Sequence, residues 1–170
     1  TLIFSACKKK DPVSPEEQVA EESVKEIAAV ATICEVTPGV QSLVDSVLII
    51  RDQIHSLTIE SDDPQVDGAQ TALINVMVDL RTGTVTGWGT FRIEPKEVNG
   101  TWEGSFIVES IGGAPITGHS LGHGTGDLTG QKIFLDMLEI LAGSVTPCDI
   151  VVPLPGAPKT QTDISGFIKQ

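Results

Sequence analysis

His119 and His123 stand four residues apart, a spacing that on a helix sets both imidazoles on one face, where they can share a metal ion. The segment around them, Gly118 to Gly124, is too rich in glycine to hold a helix. Along a strand, four residues at about 3.3 Å each put the two rings roughly 13 Å apart, too far for one ion. No metal site is therefore expected, and His119, His123, Thr125 and Asp127 read as an exposed polar face. Asp127 follows Gly124-Thr125-Gly126 in a way that invites comparison with a phosphate-cradling loop. No Lys-Ser or Lys-Thr follows, so Asp127 is expected to cap a turn. His55 shares a face with Leu57 and Ile59, where a buried imidazole with its hydrogen bonds satisfied is expected in preference to a base. Ser105 and Ser120 lack a nucleophile-elbow context. Glu103 and Glu109 share a strand face but lie roughly 20 Å apart, too far for paired carboxylate chemistry. No catalytic residue is assigned and no motif calls for a cofactor. Trp88, Trp102, His119, His123 and Asp127 remain as candidate ligand-contacting side chains.

Composition narrows the partners. Among 170 residues, 23 acids against 11 bases give a net charge of −12, which repels a phosphate backbone, so nucleic acid is not an expected partner. Only 20% of residues are charged and 40% are hydrophobic, enough for one real core. Seventeen glycines with abundant Thr, Val and Ile favour short strands and tight turns.

Two kinds of element must position these groups. Ser14-Pro15-Glu16-Glu17 has the form of a helix start, with Ser14 as cap and Pro15 in the first turn. Ala20, Val24, Ile27, Ala28, Ala31 and Cys34 then recur at helical spacing, which predicts an amphipathic N-terminal helix ended by Pro38-Gly39 and lying on the rest of the molecule. Val40, Leu43, Val44, Val47 and Leu48 suit a second helix, and Val47 to Ile50 equally suits a strand. From His55 the period becomes two. Strands are predicted over 71–80, 84–93 and 101–110, then over 116–127 and 131–141. Within them Thr84, Thr86, Trp88, Thr90 and Arg92 face one way and Val85, Gly87, Gly89, Phe91 and Ile93 the other. Trp102, Gly104, Phe106 and Val108 form the inner face of the next strand. Asn99-Gly100 marks a hairpin in which both turn residues tolerate positive φ. Prolines between Val152 and Pro158 make a non-sheet crossover, and Ile164 to Ile168 closes the sheet. Six to eight short antiparallel strands with glycines inside them describe a small barrel in preference to a sandwich, with Trp102 and Phe106 filling the space the glycines leave. Trp88, on the polar outer face, either packs under the helix or offers its ring to a sugar.

Two resemblances add to this reading. Thr1 to Ala6, apolar and ending in small residues directly before Cys7, resemble the lipobox of secreted bacterial lipoproteins, with Phe4 where Leu is commonest. The resemblance implies cleavage between Ala6 and Cys7, with Thr1 as a truncated start, and lipid on Cys7, each buried CH₂ contributing about 0.8 kcal/mol to membrane anchoring. Lys8-Lys9-Lys10-Asp11-Pro12 is then a polar tether like those of Bacteroidetes-type lipoproteins. In that setting, outside the cytoplasm, Cys34 and Cys148 are either a disulfide, stabilising by about 4–5 kcal/mol in the chain-entropy model, or two buried thiols. The order Thr84 to Gly89, Asn99-Gly100-Thr101-Trp102-Glu103-Gly104, Gly122 to Gly130 and Ser165-Gly166-Phe167-Ile168 resembles bacterial relatives of the allene oxide cyclase-like barrel. That resemblance implies a barrel over residues 54 to 170; no motif carries the cyclase's catalytic residues onto this chain.

The expected organisation is a residual signal segment (1–6), a lipidated Cys and tether (7–14), a helical segment (15–53) and a mainly β barrel domain (54–170). The expected function is that of an extracytoplasmic lipoprotein, anchored to the cell envelope at the outer membrane. Its barrel is a binding or structural module whose partners are the membrane, through lipid, and a small apolar ligand. The alternatives are an enzyme acting on a small hydrophobic substrate in the barrel, isomerase- or cyclase-like, and a carbohydrate-associated surface protein using Trp88.

Overall fold

The computed structural model describes residues 23–140 and 161–170. Its nine strands are β1 (Val24–Thr37), β2 (Val40–Val44), β3 (Val47–Ser61), β4 (Gly68–Asp79), β5 (Thr84–Pro95), β6 (Trp102–Ser110), β7 (Thr117–Gly124), β8 (Lys132–Ile140) and β9 (Gln161–Lys169). From β3 to β8 each strand pairs antiparallel with the next, β8 pairs with β9, and β9 pairs with β1. The pairing of β1 with β3, Ala29 against Ser61 through Thr37 against Ile54, closes an eight-stranded barrel. β2 is the additional strand, continuing along the same edge of β3 beyond β1, with Val40 against Arg51 and Val44 against Val47.

The alternating sequence places one set of side chains inside. Ile27, Ala29 and Ala31 on β1, Ile59 on β3, Ala72 and Ile74 on β4, and Phe91 and Ile93 on β5 are buried. Trp102 and Phe106 on β6, Ile133 and Leu135 on β8, and Ile164 and Ile168 on β9 complete the ring. Val66 and Leu128, from the turn after β3 and a 3₁₀ turn (Gly126–Leu128), plug the end of the barrel where the first and last described residues meet. At that end the Gln170 backbone N–H donates to the Ser23 carbonyl, at 3.1 Å.

The N-terminal helix predicted over 15–53 is corrected where it is described: residues 24–37 are strand β1, and the segment up to Ser61 is strand as well except at the two turns. The alanine-rich stretch satisfies both periods, and the period of two lets Ile27, Ala29 and Ala31 enter the core while Glu26, Ala28 and Val30 stay on the outer wall. Pairing on both sides of β1 outweighs the modest helix preference of alanine. The barrel therefore begins at Val24, well before residue 54. The helix start at Ser14, Ala20, the tether and Cys7, the proline-rich crossover and Cys148 lie outside the described residues.

Asn99-Gly100 does lie in the β5–β6 connection, but neither residue adopts positive φ. Glycine is required at 100 for a different reason: a Cβ there would sit 2.3 Å from the Thr125 carbonyl oxygen. Asn99 supplies its carbonyl to the Asp127 N–H at 2.9 Å, which binds this loop to the 3₁₀ turn.

Candidate functional site

The barrel is filled at one end and hollow towards the other. The packed end is built from the largest inner side chains: Trp102 is fully buried with Ile59, Ile93, Leu128, Ile133 and Ile168 around the same core. Past Phe106 the inner residues become smaller, and a cavity of about 150 Å³ remains. It is partly open and lies at the end carrying the Arg81-Thr82-Gly83 turn and the loop from Ile111 to Ile116. The first and last described residues, Ser23 and Gln170, stand at the opposite end of the barrel.

Ile33, Leu57, Ala72, Ile74, Val108 and Met137 make the cavity wall apolar. Four polar side chains interrupt it: His55, Gln70, Thr117 and Thr162. Gln70, from β4, is 8% exposed and faces inward two residues from Ala72. Its amide forms no hydrogen bond among the described residues. His55, from β3, pairs in register with Ala72, which puts it diagonal to Gln70. At that diagonal the side chains of neighbouring strands are about 7–8 Å apart. The Nε2 atom of His55 is buried without a hydrogen-bond partner among the described residues. Burial pushes the His55 imidazole below its ordinary value of 6.5, because the charged ring loses its water. His55 is thus a neutral imidazole at neutral pH, half-buried rather than fully buried, and its enclosed Nε2 lacks the hydrogen bond that the sequence reading assigned to it.

The predicted ligand contacts fall in different places. Trp102 is consumed by the core, and its indole Nε1 donates to the Gln65 carbonyl at 2.7 Å, so it does not reach the cavity. Trp88 is 42% exposed on the outer wall, among Thr86, Ile107 and His119. It packs under no helix among the described residues, because the segment expected to cover it is strand β1. His119 is exposed on the same wall, its Nδ1 2.6 Å from an Asp136 carboxylate oxygen. His123 points outward two pleat repeats further, beside Glu103 in register. Asp127 is exposed in the 3₁₀ turn, where its backbone N–H, rather than its carboxylate, makes the tie to Asn99. Of the five, Trp88 and His119 are brought together; Trp102 and Asp127 belong to the packed end. Cys34 lies on β1, and its proposed partner Cys148 is outside the described residues.

Gln70 was not visible as a site residue in the sequence. The strand was expected to begin at Thr71, and it begins three residues earlier, at Gly68. The signal was the alternation of Gly68, Gln70, Ala72 and Ile74 against Ala69, Thr71 and Leu73, which places a polar amide on an otherwise small and apolar face.

No protein-family model, no curated protein and no solved structure matches the chain.

Proposed function

We propose that this protein is a lipid-anchored extracytoplasmic lipoprotein whose barrel binds one small, largely apolar molecule. The observation that carries the binding half of this reading is the cavity itself. An eight-stranded barrel is wide enough either to be filled by its own side chains or to hold one small ligand, and here the small residues Ala72 of β4 and Gly118 of β7 line a part of the lumen that stays unfilled. A cavity near 150 Å³ with apolar walls accepts about one benzene-sized molecule. The anchoring half rests on the lipobox-like residues before Cys7. With the lipid N-terminal to Ser23, the cavity mouth is at the end of the barrel remote from the tether, open to the compartment rather than pressed to the bilayer.

Titration with toluene, followed by thermal stabilisation and by shifts of the Met137 and Ile74 methyl resonances, tests the binding half. Saturable stabilisation with shifts confined to these residues is expected; unchanged spectra at saturating toluene would remove it. For the anchor, the test is incorporation of a labelled fatty acid into the protein, abolished by Cys7→Ser. Equal membrane partitioning of Cys7→Ser and the natural protein would end that half independently.

A second reading, an isomerase- or cyclase-like enzyme working in the lumen, draws on the convergence of His55 and Gln70 on an apolar space. A neutral imidazole beside a carboxamide can move a proton and hold an oxygen. Turnover of a hydrophobic epoxide, lost in His55→Phe, would favour it over simple binding.

A further inference from the structure

The wall of the cavity is apolar except where Gln70, His55, Thr117 and Thr162 meet it, and the His55 contact has a cost. A ring nitrogen buried without a hydrogen bond, as His55 Nε2 is, loses its water and gains nothing in return, a penalty of about 1–3 kcal/mol. Such groups in a core are ordinarily paired, and an apolar residue of similar size at position 70 would fit the neighbouring Ala72, Ile74 and Leu57 better. Gln70 is 8% exposed and its amide has no protein partner among the described residues, so it can bond a molecule that enters the partly open cavity. Its carboxamide offers one acceptor, Oε1, and one donor group, Nε2. The His55 imidazole beyond it is uncharged and adds a nitrogen whose role follows its tautomer, with Nε2 itself unpartnered.

From this arrangement we infer that the ligand of the cavity carries a single neutral hydroxyl on a ring-sized apolar body, a phenol or a small cyclic alcohol, held by hydrogen bonds to the Gln70 carboxamide and the His55 imidazole. The inference rests on the apolar-cavity reading and adds the chemistry of the ligand's polar end. A hydroxyl is the smallest group that both donates and accepts, so it can bond one half of the Gln70 amide and, through its remaining site, a nitrogen of His55 in either tautomer. A carboxylate accepts only, and the cavity supplies no cation to neutralise it: no Lys or Arg is among its lining residues. A hydrocarbon fills the volume but leaves the amide unpaired.

The experiment is a titration of the purified protein with phenol, toluene and benzoate, repeated on Gln70→Leu and on Gln70→Met, with circular dichroism establishing that each variant is folded. Phenol is expected to bind the natural protein and to lose about fivefold to tenfold in affinity in Gln70→Leu, the equivalent of one neutral hydrogen bond. Toluene is expected to bind Gln70→Leu at least as well as the natural protein, and benzoate to bind neither. Gln70→Met, which preserves length without the amide, carries the same expectation if the leucine variant fails to fold. Equal loss of phenol and toluene in both variants, or tighter binding of benzoate than of phenol, overturns the inference while leaving the apolar cavity standing. Failure of toluene and phenol alike to bind the natural protein overturns the cavity reading itself.

Discussion

The indole Nε1 of Trp102 donates to the carbonyl oxygen of Gln65 at 2.7 Å, joining the start of β6 to the turn that follows β3 across the packed end of the barrel. Trp102 is 0% exposed, so this bond is made in the absence of water and both partners depend on it. Trp102→Phe preserves most of the apolar volume and removes the donor. It is expected to cost about 2 kcal/mol, with Trp102→Ala costing about 3–5 kcal/mol through the added void. Urea unfolding monitored by circular dichroism reads both. A phenylalanine variant as stable as the natural protein would show that the bond to Gln65 contributes nothing.

Gly104 lets β6 and β7 approach more closely than any side chain allows. A Cβ at this position would lie 2.1 Å from the Leu121 carbonyl oxygen and 2.6 Å from the Gly122 Cα, both backbone atoms that cannot step aside alone. Gly104→Ala is expected to destabilise by about 3 kcal/mol. Gly112→Ala, where nothing lies within 4 Å but φ is +62°, is expected to lose only about 1 kcal/mol, for the left-handed backbone. Thermal melts of the two variants would show the order; a milder effect at 104 than at 112 contradicts it.

His55 makes stability depend on pH. In the unfolded chain its imidazole titrates near 6.5, and in the barrel burial lowers that value. Between the two values the unfolded state holds more protons, so stability rises with pH through this window and levels off above 6.5. Conversely, acidification below 6.5 weakens the fold and, with it, retention of any molecule in the cavity. His55→Leu removes this component. Denaturation midpoints measured from pH 5 to 8 should therefore converge less steeply for the variant, and parallel curves would count against the account.

The turn after β3 hangs on the Asp63 carboxylate. One oxygen accepts from the Gln65 backbone N–H at 3.0 Å; the other lies 2.8 Å from Lys25 Nζ, an ion-pair contact off the line of a well-directed hydrogen bond. The Asp63 side chain is 7% exposed while that of Lys25 is 55% exposed, so the two halves of the pair are unequal. Asp63→Ala is expected to cost about 2 kcal/mol by freeing the turn, and Lys25→Ala less than about 1 kcal/mol, since its charge sits mostly in water. Chemical denaturation in low and high salt checks both; a larger loss from Lys25→Ala would reverse the assignment.

Much of the barrel was legible because period two is a strong signal where bulky and polar residues alternate. Trp88 facing out and Phe91, Trp102 and Phe106 facing in follow directly from the pleat. β1 was not legible, because Ile27-Ala28-Ala29-Val30-Ala31 offers an apolar face at either period and only long-range pairing with β3 and β9 decides between them. The site was hidden for a related reason. Whether an inner position is packed or borders a cavity depends on what seven other strands bring to the same level, and local sequence does not encode that depth. Trp102 looked available and is sealed; Gln70 looked like the margin of a turn and is one of the polar groups of the cavity.

All sheet pairings but one join strands that are neighbours along the chain or separated by a single short strand. The exception is the seam between β1 and β9, Val24 against Lys169 through Thr32 against Gln161. The hairpins from β2 to β8 can therefore form early, on the timescale of local loop closure, whereas the seam has to wait for two strands far apart in sequence to find each other. That late step makes the rate of folding, far more than the final stability, sensitive to what flanks β1 and β9. A growing chain that has not yet made β9 would hold a curled but unsealed sheet until that strand emerges.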